Sequence, residues 1–268
     1  MSDETKNENA VLSFFNLSDE YERKARFLPA VLSILVLLPV GMAFGVPVME
    51  FVRALLAGVG ATAVLAVGLS HAASAMGNRL QRKLWPDWPF DAPTNQWLLP
   101  GDPSRSIQQK EQWYAAIQRL TGLDIPEAAA TEDERELTRV INDAVTALRS
   151  RLCKAPGADL LRLRNVEFGY ARNLTGLRPL WVLGSILSCA GCWIAATWFG
   201  GSVLWALVAS VLVLVLPVLG FTVLPGYVRQ KAGFYAEAFF AAMMQLDDPE
   251  SRNRDAASLG GANGRYGG

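Results

Sequence analysis

Between Arg178 and Arg229 the chain carries no charged residue. A helix that crosses a bilayer needs roughly 20 apolar residues, so this stretch is too long for one crossing. The segment Trp198-Phe-Gly-Gly-Ser202 breaks it into two apolar runs, 180–197 and 203–224. In hydrocarbon every backbone amide must find its partner within its own segment. The pattern therefore predicts a helical hairpin in lipid over 179–228, and a soluble strand pair would leave the length unexplained.

A second pair of uncharged runs, 27–49 and 54–78, is divided only by Glu50, Phe51, Val52 and Arg53 and predicts another hairpin over 27–78. Basic residues flank the same ends of both: Arg23, Lys24 and Arg26 before the first, Arg79, Arg82 and Lys83 after it, Arg172 and Arg178 before the second, Arg229 and Lys231 after it. Cytosolic flanks carry the excess of Lys and Arg. The fold expected is thus an all-α integral membrane protein, with four transmembrane helices as two hairpins flanking a helical cytosolic domain, 79–178. Both termini face the cytosol: a tail and juxtamembrane helix at 1–26, a C-terminal helix at 229–246 and a disordered tail at 247–268. Tyr21 to Pro29 and Tyr170 to Pro179 share a Tyr-x-Arg and Pro frame, which a duplication would produce but which reads first as an ordinary interfacial entry.

Within the spans the informative pattern is spacing. Ala54, Gly58, Thr62, Ala66, Ser70 and Ser74 recur every four residues, as do Gly184, Ser188, Cys192, Ala196 and Gly200, with Gly41 and Gly45 a shorter series. Small side chains at this interval let membrane helices approach closely, so these residues are candidate packing or oligomer seams. Cys189-Ala-Gly-Cys192 lies in apolar helix with no second pair beside it, and reads as packing rather than a redox or zinc site. His71 is the only histidine. The spans hold no Asp, Glu, Lys or Arg, which disfavours a proton- or ion-coupled small-solute transporter.

The central segment opens with Trp85-Pro-Asp-Trp88 and continues to Trp97, too rich in Pro for helix and too rich in Trp for a free linker. Trp85, Trp88 and Trp97, with Phe239 and Met243 of the C-terminal helix, form a candidate partner surface. Asp102 and Pro103 predict a helix start running to Thr121 and Gly122. Thr131 to Glu134 predicts a capping box and a helix to about Leu152. A third helix from Asp159 is expected to bury Leu160, Leu163, Val166, Tyr170 and Leu174. The stripe Phe234, Tyr235, Phe239, Phe240, Met243 and Met244 must dock on something, with the central domain as first choice.

The formal net charge is zero, against a nucleic-acid partner. Three cysteines give no disulfide framework, and the soluble part is expected in a reducing cytosol. No Walker loop, dinucleotide glycine pattern, nucleophile elbow or metalloprotease helix is present, so no catalytic residue, metal ligand or cofactor site is assigned. Glu132, Asp133, Glu134 and Glu136 form a first-turn cluster that complements the helix dipole. At the level of architecture alone, two short-looped hairpins around a cytosolic domain resemble the small multi-span effectors of bacterial defence systems. The expectation is a non-enzymatic, multi-pass inner-membrane protein whose cytosolic domain couples a signal or partner to the bundle, as an oligomeric permeabilising effector or channel. The alternative is a passive scaffold for a cytosolic partner. Expected partners are the lipid bilayer, further copies of the chain, and a cytosolic protein or small-molecule signal.

Overall fold

The computed structural model describes residues 21–47, 50, 63–131, 133–155 and 157–248. Among these residues the chain is all-helical, with no strand. It divides into two compact units, Met1–Leu84 with Asn165–Lys231, and Trp85–Arg164 with Ala232–Gly268.

In the first unit, helix α1, Glu22–Ala43, changes hydrogen-bond register twice. A π segment, Glu22–Phe27, precedes Pro29, and a 3-10 turn, Leu35–Leu37, precedes Pro39. Proline has no N–H and its ring crowds the carbonyl four residues back, so the register slips ahead of each ring. Helix α2 is Ala63–Leu84. Helix α8, Arg178–Trp198, starts with Pro179 in its first turn, where the missing N–H is no loss. Helix α9, Val203–Asp247, runs for 45 residues, about 68 Å at 1.5 Å per residue and more than twice a ~30 Å hydrocarbon core. It is α-helical over Val203–Val218 and Leu224–Asp247, with a π segment, Leu219–Val223, between.

Among the described residues three helices, α1, α8 and α9, are long and apolar enough to cross a membrane. The fourth expected span, 54–78, falls partly outside the described residues, and its described part continues as helix past Asn78 to Leu84. Where α8 meets α1, a Cβ on Gly184 would come within 2.8 Å of Val36 Cγ2, and one on Gly191 within 2.6 Å of Val40 Cγ2. These glycines set how closely the two helices approach. Ala43, Cys192, Ala195, Ala206 and Ala209 fill a core of small side chains. Gly200, at φ +67, makes the turn from α8 to α9. Outward, Leu187, Ile194, Leu207, Val211 and Leu214 are exposed. An apolar surface of this extent marks a membrane or protein interaction site.

The second unit contains α3, Pro93–Gln96, α4, Ile107–Thr121, α5, Ile125–Ala130, and α6, Glu134–Leu152, together with the ends of two longer helices. Helix α4 begins later than Asp102 implied. Ser106 is its cap, accepting from Gln109 N–H at 3.2 Å, while the Asp102 carboxylate turns to the Ser104 amide at 2.9 Å. Gly122, at φ +78, ends the helix as expected. Asp133, not Thr131, caps α6: its carboxylate accepts from the Arg135 and Glu136 amides, while the Thr131 hydroxyl donates to Ala128 O. Helix α5 has its own cap in Asp124, whose carboxylate takes the Glu127 N–H at 2.9 Å.

Helix α7, Asp159–Gly176, buries a different face from the one expected. Leu160 and Leu163 are exposed, and Leu161, Phe168, Ala171, Asn173 and Thr175 are buried. The division between the units falls inside α7 and inside α9, both unbroken there.

Candidate functional site

The second unit is assembled around the C-terminal part of α9. Phe239, Phe240 and Met243 are buried with Trp113, Ile117, Ile141, Val145 and Leu148 in one apolar core. Trp113 stacks on Phe240 with ring centres 3.9 Å apart and planes within 9°, and Phe239 meets Phe240 edge-on at 5.5 Å. Trp97 lies against the same Phe240, 6.1 Å centre to centre. The aromatic stripe of α9 therefore supplies core, and Phe239 and Met243 do not reach the surface in this conformation.

The loop that carries Trp97 is held from below by a buried lysine. Lys110 Nζ donates to Leu99 O at 2.6 Å and also to Pro100 O and Asp102 O, so three carbonyls compensate a charge removed from water. Tyr114 OH donates to Leu98 O at 2.8 Å, and burial pushes its pKa up to about 12. Arg119 pairs with Asp247 at the end of α9, Nε to Oδ2 at 3.1 Å. This hydrogen-bonded carboxylate raises the pKa of Arg119 above its ordinary value.

These constraints leave a cleft of about 300 Å³ between α4 and α9. Trp113 and Phe240 form its apolar wall, and Trp97, Arg105, Gln109, Gln112 and Glu237 its rim. The Arg105 guanidinium lies 3.8 Å over the Trp97 ring and donates from Nη2 to Glu237 Oε1 at 3.1 Å. Its volume is at the lower end for small-molecule pockets, commonly about 300–1,000 Å³. A cation, a carboxylate and two amides around an aromatic wall can bind and orient a polar ligand. No nucleophile with an adjacent base is among the residues that line this cleft. No group of three His, Cys, Asp or Glu side chains with metal-binding spacing occurs among the described residues.

Of the candidate partner-surface residues only Trp97 lines the cleft, joined there by Phe240 and Met244 of the docking stripe. Trp85 is buried and stands 6.0 Å from Trp88 in a tilted pair. In the seams, Gly184, Ser188 and Cys192 lie on the packed side of α8 and Ala196 is half-buried. Gly41 is half-buried, and Gly45 is exposed at φ +80, where a turn needs it. Ser70 is half-buried; Ala54, Gly58 and Thr62, and the side chain of Ala66, lie outside the described residues. Arg105, Gln109, Gln112 and Glu237 were not singled out from sequence. The cap at Ser106 is a local signal for the start of α4, but nothing local pairs Arg105 with a residue 132 positions away. Comparison with protein-family models, curated proteins and solved structures finds no match.

Proposed function

We propose that this is a non-enzymatic, multi-pass protein of a cell inner membrane, with four spans and both termini in the cytosol. Its soluble helical unit couples a signal or partner to the transmembrane helices. The observation that carries the reading is the placement of the division between the units inside two unbroken helices, α7 and α9. A helix transmits displacement along its axis better than a flexible linker does, because its backbone bonds must break before it bends sharply. The cleft beside Trp97 and Arg105 is the candidate receiving site. In this reading the output is an oligomeric membrane-permeabilising effector or channel. One copy of a small, largely apolar bundle holds no polar lumen, so permeation requires several.

A potential-sensitive dye in cells expressing the chain tests the proposal. Expression should depolarise the membrane, and Arg105→Ala with Gln112→Ala should abolish the signal at unchanged protein level. Full membrane potential at high expression, with the protein in the membrane, would refute the effector reading and leave the passive scaffold.

A further inference from the structure

Two helices of the first unit carry the same backbone defect. In α1 the π segment closes with Leu28 N–H bonded to Arg23 O, and Pro29 follows immediately. In α9 the π segment closes with Leu224 N–H bonded to Leu219 O, and Pro225 follows immediately. A proline has no N–H to give. Ala25 O lies four residues before Pro29 and Gly220 O five residues before Pro225, the acceptors next in line in the α and π registers, and neither receives a bond from its proline.

Both carbonyls are served by side chains from one short stretch of chain. Asn173 Nδ2, fully buried near the end of α7, donates to Ala25 O at 2.7 Å. Arg178 Nη1, at the start of α8, donates to Gly220 O at 3.1 Å, with its guanidinium 4.4 Å over the Phe221 ring. Glycines open the approach on each side. A Cβ on Gly77 would overlap the Asn173 amide, and one on Gly220 would come within 2.6 Å of Trp181 and 3.3 Å of Arg178 Cβ. The amide of Asn173 is itself oriented by Arg172, whose Nε donates to Asn173 Oδ1 at 3.2 Å and whose Nη1 donates to Gln81 Oε1 at 2.7 Å.

We propose that the α7–α8 corner is a latch: Asn173 and Arg178 replace the missing N–H groups of Pro29 and Pro225 and hold two proline hinges, one in α1 and one in α9, in a single geometry. Each hinge joins a π segment to a proline, the two features at which helices bend. Withdrawing either donor removes the side-chain partner of a carbonyl at that hinge, which water can replace when the helix opens there. The two donors are five residues apart. A displacement of this corner therefore releases α1 and α9 together.

The test uses the full-length chain in lipid nanodiscs, with nitroxides on ketone-bearing residues introduced at Leu207 and Gln230, which bracket the α9 hinge and leave the native cysteines in place. The parent should give one narrow distance. Arg178→Ala should add a second distance or broaden the first. Pro225→Ala, which returns an N–H to the hinge, should restore the single narrow distance in the Arg178→Ala background, and Pro29→Ala should not. If Arg178→Ala cannot be recovered from membranes, the same comparison is read as recovery, with Pro225→Ala restoring the protein and Pro29→Ala failing to. In the reciprocal arm, labels at Lys24 and Phe44 should show Asn173→Ala rescued by Pro29→Ala and not by Pro225→Ala. An unchanged distance in Arg178→Ala, rescue by the wrong proline, or no rescue by the right one overturns the latch.

Discussion

The close approach of α2 and α7 makes Gly176 the most sensitive glycine to test. A Cβ there would lie 2.6 Å from Gly77 N and 2.7 Å from Gly77 Cα and Met76 C, all backbone atoms of α2. Ordinary carbon contacts are about 3.5–4.0 Å, so the helices must part by about 1 Å. That parting would stretch the Arg172 to Gln81 bond from 2.7 Å to about 3.7 Å, beyond hydrogen-bonding range. Overpacking of this kind costs typically 1–3 kcal/mol, and a rigid backbone obstacle places it at the upper end. Against this, Gly→Ala in a helix gains at most about 1 kcal/mol of propensity. The net expectation for Gly176→Ala is destabilisation by about 2 kcal/mol. Gly226→Ala, in the same unit, is the control, because nothing lies within 4 Å of its added methyl and only the propensity gain applies. Thermal unfolding in detergent, followed by a thiol-reactive fluorophore, reports the first unit through Cys192, which is fully buried, while exposed Cys153 reacts at once. A Gly176→Ala protein as stable as the parent would refute the backbone-contact argument.

Phe240→Ala removes the ring shared by Trp113 and Trp97 and should cost about 3–5 kcal/mol, read as loss of the cooperative unfolding step of the second unit by tryptophan fluorescence. Tyr114 has a folded pKa of about 12 against an ordinary 10.0, so the native state holds its proton longer. Its contribution is complete below pH 10 and is lost as pH rises towards 12; Tyr114→Phe should lack both the late tyrosinate absorbance and that part of the alkaline stability loss. A reporter enzyme active only outside the cytosol should work when fused after Gly200 and stay silent after Asp124 or Gly268, and the reverse pattern would overturn the orientation taken from Lys and Arg.

The membrane helices were legible because lipid imposes a composition: a long uncharged run leaves few structures open to it. The all-helical character of the rest followed from its caps and stripes, but the caps were placed one choice away. Near α4, Asp102-Pro103 and Ser106 are both acceptable starts, and Ser106 wins because Lys110 pulls the carbonyls of Leu99, Pro100 and Asp102 into a loop around its ammonium. A single apolar stripe was read along α7, yet Leu161 is buried in one unit and Ala171 and Asn173 in the other, each facing its own neighbours. The cleft was illegible for a different reason. Arg105 and Glu237 are unremarkable exposed-type residues in sequence, and only the docking of α9 onto α4 makes them a pair.

The small-residue seam of α8 bears on any assembly this chain forms. Such a seam has one surface, and close packing on it by one helix excludes another. Here Gly184 and Gly191 receive Val36 and Val40 of α1, Cys192 is fully enclosed, and Ser188 is buried. The seam is occupied within the monomer, so a second copy cannot use it unless α1 leaves. What α8 and α9 still offer outward is their exposed side, with Leu183, Leu187, Ile194, Leu207, Val211 and Leu214. Those are large, flexible, apolar side chains that lipid satisfies as well as protein does, and they provide little drive for association in a membrane. A pore built from this chain would therefore have to displace α1 from α8 before subunits could meet on the glycine face. A loosened Pro29 hinge near the N-terminal end of α1 is the structural element that would permit that displacement without unwinding the rest of the helix.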